Sequence, residues 1–129
     1  MNAEDICSDF LTWPERWKGT EQDKRYGQDL LEAMRPFIDY LIAKGLKHQT
    51  IRRHMDNLWV LGGEIIRSVS TNDEYGNLAA ESLRDSVGPD GGPFCSGFQY
   101  EWEMTSYDTT CRKLHKFLEG SKPTRSLPD

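Results

Sequence analysis

Two apolar stripes of helical period, separated by Gly45, constrain this chain more than any other feature of its sequence. The first stripe recurs at three- and four-residue intervals before the glycine and contains Leu30, Leu31, Met34, Phe37, Ile38, Leu41 and Ile42. The second falls within one narrow arc at about 100° per residue and contains Ile51, Met55, Leu58, Gly62, Ile65, Ile66 and Val69. Glycine favours the left-handed conformation that ends many helices. We therefore expect two antiparallel helices, at about 28–43 and 48–70, that pack through these stripes.

Two positions inside these helices are unfavourable for helix formation. Pro36 lies on the face opposite the first stripe, and because the stripe keeps its phase on both sides we predict a kink rather than an interruption. Gly62 and Gly63 each lower helix stability by about 1 kcal/mol relative to alanine. Because Gly62 falls within the buried arc, we expect its missing side chain to permit close approach of another helix.

The N-terminal segment carries a shorter apolar pattern. Three apolar side chains lie at helical spacing, those of Ile6, Phe10 and Trp13, and they predict a short helix within residues 3–18. We expect Trp13 and Trp17 to anchor this segment on the core rather than to bind a ligand, because aromatic rings supply much buried area. The polar residues 18–25 are predicted to be a linker. Residues 1–25 are therefore predicted to form an N-terminal arm with one short helix.

Two more helices are predicted in the second half of the chain. One covers about residues 74–87, and the last runs from about 105 or 106 to 119. The sequence thus predicts an all-α fold, a small bundle of four to five helices within residues 26–120. A flexible tail is predicted at 121–129, where apolar periodicity is absent.

Charge is distributed unevenly along the 129 residues. Residues 41–60 carry four Lys or Arg against one acid and residues 111–129 five against two, whereas residues 61–110 carry two against nine acids, in a chain of net charge −5. Basic segments on an acidic body are compatible with a local anionic partner. Solvated cations on ordinary helix surfaces give the same pattern. Both interpretations stay open at this level.

The cysteines and the hydropathy pattern indicate a compartment. The sequence contains an odd number of cysteines, Cys7, Cys95 and Cys111, and their spacing is not that of metal ligands. Because no export signal is recognisable either, we predict that they are free thiols. No stretch approaches the roughly 20 apolar residues of a membrane span. We expect a cytoplasmic protein without membrane contact.

No enzyme signature is stronger than its structural alternative. Asp108, Cys111 and His115 have a spacing that could offer metal ligands, but no second ligand pair accompanies them, and Cys111 falls on an apolar arc. The glycine-rich run 88–93 resembles a phosphate-binding loop only in composition, since no Lys-Ser/Thr pair follows it. We predict no catalytic residues, no metal, no cofactor and no enzymatic activity.

One family resemblance is present. Residues 37–58 read Phe-Ile-Asp-Tyr-Leu-Ile-Ala-Lys-Gly-Leu-Lys-His-Gln-Thr-Ile-Arg-Arg-His-Met-Asp-Asn-Leu, and residues 107–118 read Tyr-Asp-Thr-Thr-Cys-Arg-Lys-Leu-His-Lys-Phe-Leu. Both resemble the N-terminal core-binding domain of tyrosine recombinases (phage integrases). The resemblance implies a SAM-like helical bundle that clamps DNA. Lys47 replaces the family's capping Ser, residues 71–104 have no counterpart and the catalytic Arg, His and Tyr machinery is missing, so the implied activity is binding without chemistry.

The first functional hypothesis is a non-enzymatic DNA-binding module, an accessory of a mobile-element or recombination system. Its contacts with duplex DNA are predicted at the start of the second long helix and on the last helix: Lys44, Lys47, His48, Arg52, Arg53, Arg112, Lys113 and Lys116. Cations at these positions would neutralise backbone phosphates.

The second hypothesis is a protein–protein interaction or self-association module. Trp59, Val60 and Leu61 make the second long helix apolar all round for one turn, and Val60 is placed directly opposite the core stripe. Either another element of the chain covers that side or a protein partner, including a second copy in a homo-oligomer, does so.

Overall fold

The computed structural model describes residues 1–120, which form six α-helices and one short 3-10 helix. In chain order these are α1 (Ala3–Ile6), the 3-10 helix (Phe10–Thr12), α2 (Trp13–Trp17), α3 (Glu21–Ala43), α4 (His48–Asn72), α5 (Ala79–Ser86) and α6 (Glu101–Gly120). Within this part of the chain the β-type pairing is limited to one bridge between Gly88 and Gly91. The predicted all-α bundle is therefore confirmed. The tail predicted at 121–129 lies outside the described residues.

The pairing of α3 with α4 forms the centre of the core. Both predicted stripes are buried, with the exception of the half-buried Ile42. Gly45 has a φ of +76° and ends α3 in the left-handed conformation, as expected. α3 continues through Pro36, whose side chain is exposed. Because the ring faces solvent, the buried stripe that holds the helix to its neighbour is uninterrupted, although Pro36 cannot donate a hydrogen bond to the Glu32 carbonyl.

Residues 21–25 were predicted to belong to a linker, but they form the start of α3. The helix begins at Glu21 because Thr20 and Asp23 cap each other: the Thr20 hydroxyl accepts from the Asp23 amide, and the Asp23 carboxylate accepts from the Thr20 amide, both at 3.1 Å. The boundary predicted between residues 25 and 26 therefore falls inside a continuous helix. The N-terminal arm ends before Glu21.

The arm itself is three short pieces rather than one helix. Pro14 occupies the first turn of α2, where its missing N–H is not needed, so it begins a helix instead of ending one. Phe10 and Trp13 are fully buried against the core, with their rings edge to face at 4.8 Å. The predicted anchoring role of Trp13 is confirmed.

Two other helix boundaries differ from the prediction. Asp73 ends α4 in a left-handed conformation with φ 53°, and α5 does not begin until Ala79. α6 begins at Glu101, earlier than predicted. The Glu103 carboxylate there accepts hydrogen bonds from the Gln99 and Tyr100 amides, both at 3.0 Å, which satisfies donors that a helix start leaves unpaired.

Candidate nucleic-acid interface

A groove of about 450 Å³ opens between the end of α3, the turn that follows it and the C-terminal half of α6. Its lining combines aromatic and aliphatic side chains with three lysines: Phe37, Tyr40, Leu41, Lys44, Leu46, Lys113, Lys116, Phe117 and Gly120. We call this feature the basic groove. No carboxylate belongs to its lining among residues 1–120, so the charge at its surface has one sign.

The aromatic wall of the basic groove consists of three rings in mutual contact. Phe117 lies 5.0 Å from Tyr40 and 5.6 Å from Phe37, measured between ring centroids. Tyr40 is also stacked on Phe37, with an interplanar angle of 25°. Phe37 is fully buried, whereas Tyr40 is 42% exposed. The two phenylalanines thus hold the Tyr40 ring against the body of the protein and leave part of its surface accessible.

The cations of the basic groove are not paired with carboxylates of residues 1–120. Lys44 Nζ lies 5.3 Å from the centroid of the Tyr40 ring, a cation–π contact. Lys113 and Lys116 are exposed one turn apart on α6. None of the three lysines forms an ion pair with a carboxylate of the described residues. Their charge is available to an anionic ligand.

Arg53 is a fourth predicted cation, and its charge acts on the same buried imidazole as that of Lys113. The pKa of His54 is lowered, first by burial of its ring and then by the positive charges of Lys113 and Arg53. Lys113 on α6 and Arg53 on α4 thus both lie close enough to this imidazole for their charges to act on it. Arg53 itself does not line the basic groove.

The other predicted cations do not line the basic groove. His48 Nε2 lies 3.1 Å from the sulfur of Met1, and Arg52 lines a hollow with Cys7 and Asp9 on the side of the N-terminal arm. Arg112 donates to the hydroxyl of Thr109 at 3.1 Å.

Arg52 lies among acidic side chains. Its Nε is 4.0 Å from the Asp56 carboxylate, and its charge helps to lower the pKa of Asp9, although the hydrogen bond from Cys7 is the larger cause of that shift. Lys47 is exposed at the N-cap of α4 without a capping hydrogen bond. The structure thus divides the eight predicted cations into a group around the basic groove and separate positions elsewhere.

A buried polar network fixes α6 against α4 beneath this face. His54 Nδ1 and the Thr110 hydroxyl are 2.7 Å apart, and the Asn57 side-chain amide donates to the same hydroxyl at 2.8 Å and to the Ser106 carbonyl at 3.2 Å. A satisfied network of this kind selects one register between two helices. It therefore positions Lys113 relative to Arg53. Sequence reasoning missed the network, although the polar residues His54 and Asn57 beside the apolar arc were its signal.

The apolar turn Trp59, Val60 and Leu61 is only partly accessible. Leu61 is fully buried, which corrects its assignment as a partner contact. Val60 is half-buried, and Trp17 covers this side of α4, because its indole N–H donates to the Trp59 carbonyl at 3.0 Å. Trp59 is 42% exposed. An element of the chain itself therefore covers part of the surface that a partner was predicted to cover.

The same indole explains Gly62. A Cβ at this position would overlap the Trp17 ring, lying 2.6 Å from its Cη2 atom. The missing side chain therefore permits the close approach of helix α2, which contacts Gly62 through the Trp17 ring. Trp17 thus anchors the arm, as expected from the sequence.

Two of the three thiols, those of Cys7 and Cys111, are not activated as nucleophiles. Cys7, Cys95 and Cys111 are free and buried. Burial, followed by the hydrogen bond to Asp9, raises the pKa of Cys7 to about 11, and burial, followed by the charge of Asp108, raises that of Cys111 to about 12. Both thiols are protonated at neutral pH. Residues 1–120 contain no group of three or more His, Cys, Asp or Glu arranged to hold a metal ion.

Comparison with known proteins adds no functional assignment. The sequence matches no protein-family model, no curated protein and no solved structure. The chain is a small all-helical domain, and its likeness to a recombinase core-binding domain stays a prediction. No helix among residues 1–120 is long and apolar enough to cross a membrane.

Proposed function

We propose that this chain is a non-enzymatic helical module that binds nucleic acid through backbone phosphates at the basic groove. The observation that carries the proposal is the convergence of Lys44, Lys113 and Lys116 on one groove whose lining contains no carboxylate. Lysine–phosphate contacts release counterions and supply most of the affinity of sequence-independent binding. Arg53 extends the contact surface along α4.

The resemblance to recombinase core-binding domains supports the same activity. Lys44 belongs to the first resembling segment, and Lys113 and Lys116 to the second. The family likeness thus covers both sides of the groove, and it suggests a SAM-like arrangement and duplex DNA as a partner. A role as an accessory of a mobile-element or recombination system rests on the likeness alone.

The acidic body confines the proposed contact to one face. With a net charge of −5, most of the surface repels phosphates. Arg52 illustrates the difference, because Asp56 and Asp9 compensate part of its charge. We therefore assign the main phosphate contacts to the three groove lysines and Arg53, and place His48, Arg52, Arg112 and Lys47 outside them.

Fluorescence anisotropy tests the proposal. The probe is a labelled random-sequence oligonucleotide of about 20 nucleotides, used both as a single strand and as a duplex. We expect binding at low salt that weakens steeply as salt is raised. Lys113→Glu combined with Lys116→Glu should abolish it. Arg52→Glu, a charge reversal on the arm side, is the matched control and should have a smaller effect. Absence of binding to both probes at low salt overturns the proposal.

A second candidate function is protein binding or self-association through Trp59 and Val60. The exposed part of Trp59 favours it, since these two residues line adjoining hollows of about 360 and 340 Å³. Large apolar side chains beside such hollows are typical of interface anchors. Trp59→Arg should convert any oligomer seen by sedimentation equilibrium into monomer. Trp102→Arg, at another exposed tryptophan, is the control, and a wild-type protein that is monomeric at all concentrations contradicts self-association.

A further inference from the structure

Resting on the proposed function, we propose that the basic groove receives an unpaired base, so that the module prefers single-stranded nucleic acid to a closed duplex. The base would stack on Tyr40 while the lysines at the rim hold the adjoining phosphates. Phosphate contacts alone do not favour a single strand, because a duplex carries the higher density of phosphate charge. The aromatic wall between the lysines favours a single strand, because a closed duplex keeps its base faces inside the helix.

Tyr40 has the properties of a stacking platform. Its ring is partly exposed, and contacts with Phe37 and Phe117 hold it in place, so little conformational freedom is lost when a base binds. The adjoining space of about 450 Å³ falls within the range of about 300–1,000 Å³ found for small-ligand sites. Ring faces of this kind accept any of the bases.

Lys44 occupies the place of the base in the free protein. Its ammonium group lies over the Tyr40 ring at 5.3 Å. A base that stacks on this ring displaces the ammonium, and the flexible lysine stem lets it move to a phosphate at the rim. Lys113 and Lys116 remain on the other side of the groove. When a base replaces the Lys44 ammonium over Tyr40, the ammonium gains a phosphate contact, so its charge is not left unpaired.

Apart from its lysines, which we assign to phosphates, the groove has no side chain suited to reading a base edge. Apart from its lysines and the Tyr40 hydroxyl, its lining is apolar or glycine, and it contains no Asn, Gln, Asp, Glu or Arg. Those residue types make the usual discriminating contacts with base edges. Binding by stacking and phosphate contacts alone is tolerant of sequence. We therefore assign an unpaired nucleotide of any base as the ligand class.

The experiment compares an oligothymidine strand, an abasic strand of equal length and a duplex of equal length in the same anisotropy assay. The oligothymidine and abasic strands carry equal numbers of phosphates and differ in their bases. We expect oligothymidine to bind about 5- to 150-fold more tightly than the abasic strand, the range that stacking of one base corresponds to. The duplex should bind more weakly than oligothymidine.

Variants of Tyr40 assign the effect to the groove. Tyr40→Leu should remove the difference between oligothymidine and the abasic strand, read as the ratio of the two affinities measured on the same variant. Tyr40→Phe keeps the ring and should preserve the difference. Thermal melting verifies that both variants are folded, as expected for an exposed position.

The possible outcomes separate this inference from the proposed function. Equal binding of oligothymidine and the abasic strand, or a difference that survives Tyr40→Leu, overturns base stacking while phosphate binding stands. Tighter binding of the duplex overturns the single-strand preference. No binding to any of the three probes overturns both proposals.

Discussion

The indole ring of Trp17 occupies the space that a side chain at position 62 would need. A Cβ on Gly62 would lie 2.6 Å from Cη2 of the ring, closer than real Cβ atoms approach a neighbour. The same indole donates its N–H to the Trp59 carbonyl at 3.0 Å. One glycine on α4 therefore decides how the N-terminal arm packs on the core.

Gly62→Ala should destabilise the protein. Alanine raises helix propensity by about 1 kcal/mol, but displacing a packed indole costs about 1–3 kcal/mol, so we expect a net loss in the free energy of unfolding. Gly63→Ala is the matched control, because a Cβ there would meet its nearest atom, Cδ1 of Trp17, at 3.7 Å, an ordinary contact. This control should be neutral or stabilising in urea denaturation. A Gly62→Ala protein as stable as wild type would contradict the indole placement.

Stability should fall as the medium becomes mildly acidic, because of His54. Burial, with Lys113 and Arg53 nearby, lowers its folded-state pKa below the unfolded value of about 6.5. The unfolded chain therefore binds the proton first, and the free energy of unfolding decreases as pH drops through and below that value. His54→Gln should make thermal melting less dependent on pH between about 7 and 5 than it is in the wild type. Equal pH dependence in His54→Gln and in the wild type would argue against this assignment.

The cap at the start of α3 should depend on Tyr75. Burial raises the pKa of the Asp23 carboxyl, but hydrogen bonds from the Tyr75 hydroxyl and from the Gly19 and Thr20 amides outweigh it, so the net pKa is lowered. Tyr75→Phe removes one donor to a nearly buried carboxylate and should cost about 1.5–3 kcal/mol near neutral pH. Denaturant titration of wild type and Tyr75→Phe measures this difference in the free energy of unfolding.

The pH dependence of that loss provides its own test. A carboxyl group with a lowered folded-state pKa stabilises the protein above its unfolded pKa of about 3.9 and loses that contribution as pH falls through the folded value. The difference between wild type and Tyr75→Phe should therefore shrink in acid. A difference that does not change with pH would show that the lost contact is packing rather than the hydrogen bond to Asp23.

The number of phosphate contacts should be measurable from salt dependence. Replacing Lys44, Lys113 or Lys116 singly with Gln should each reduce the slope of log affinity against log salt by about 1. Arg52→Gln, on the arm side, should leave the slope nearly unchanged. Equal slopes for all four variants would move the contact away from the basic groove.

Helix interiors and the turn at Gly45 were predictable from sequence, but the starts of α3, α5 and α6 were not. The apolar stripes of α3 and α4 have a strong period of their own, and they are buried as expected. The starts of α3 and α6 were missed because side chains such as Asp23 and Glu103 extend each helix by bonding backbone amides. Such caps depend on one or two local hydrogen bonds, which apolar periodicity does not report.

The candidate site was predictable only in part. Its lysines were expected from the local charge excess. Tyr40 was missed because it lies off the apolar stripe, although its position four residues before Lys44 on α3 was a usable signal. Leu61 was misassigned because a helix that is apolar all round does not reveal which of its sides is already covered.

The sequence by itself determined the helical class, the core stripes and the glycine turn between α3 and α4, because helical period and turn preference are local properties of the chain. The tertiary structure decided that Lys44 joins Lys113 at one groove while Arg52 faces the arm, and that Trp17 fills the space left by Gly62. These relationships join residues far apart in sequence. They depend on how helices cross and how side chains fill the space between them, and no local pattern encodes either.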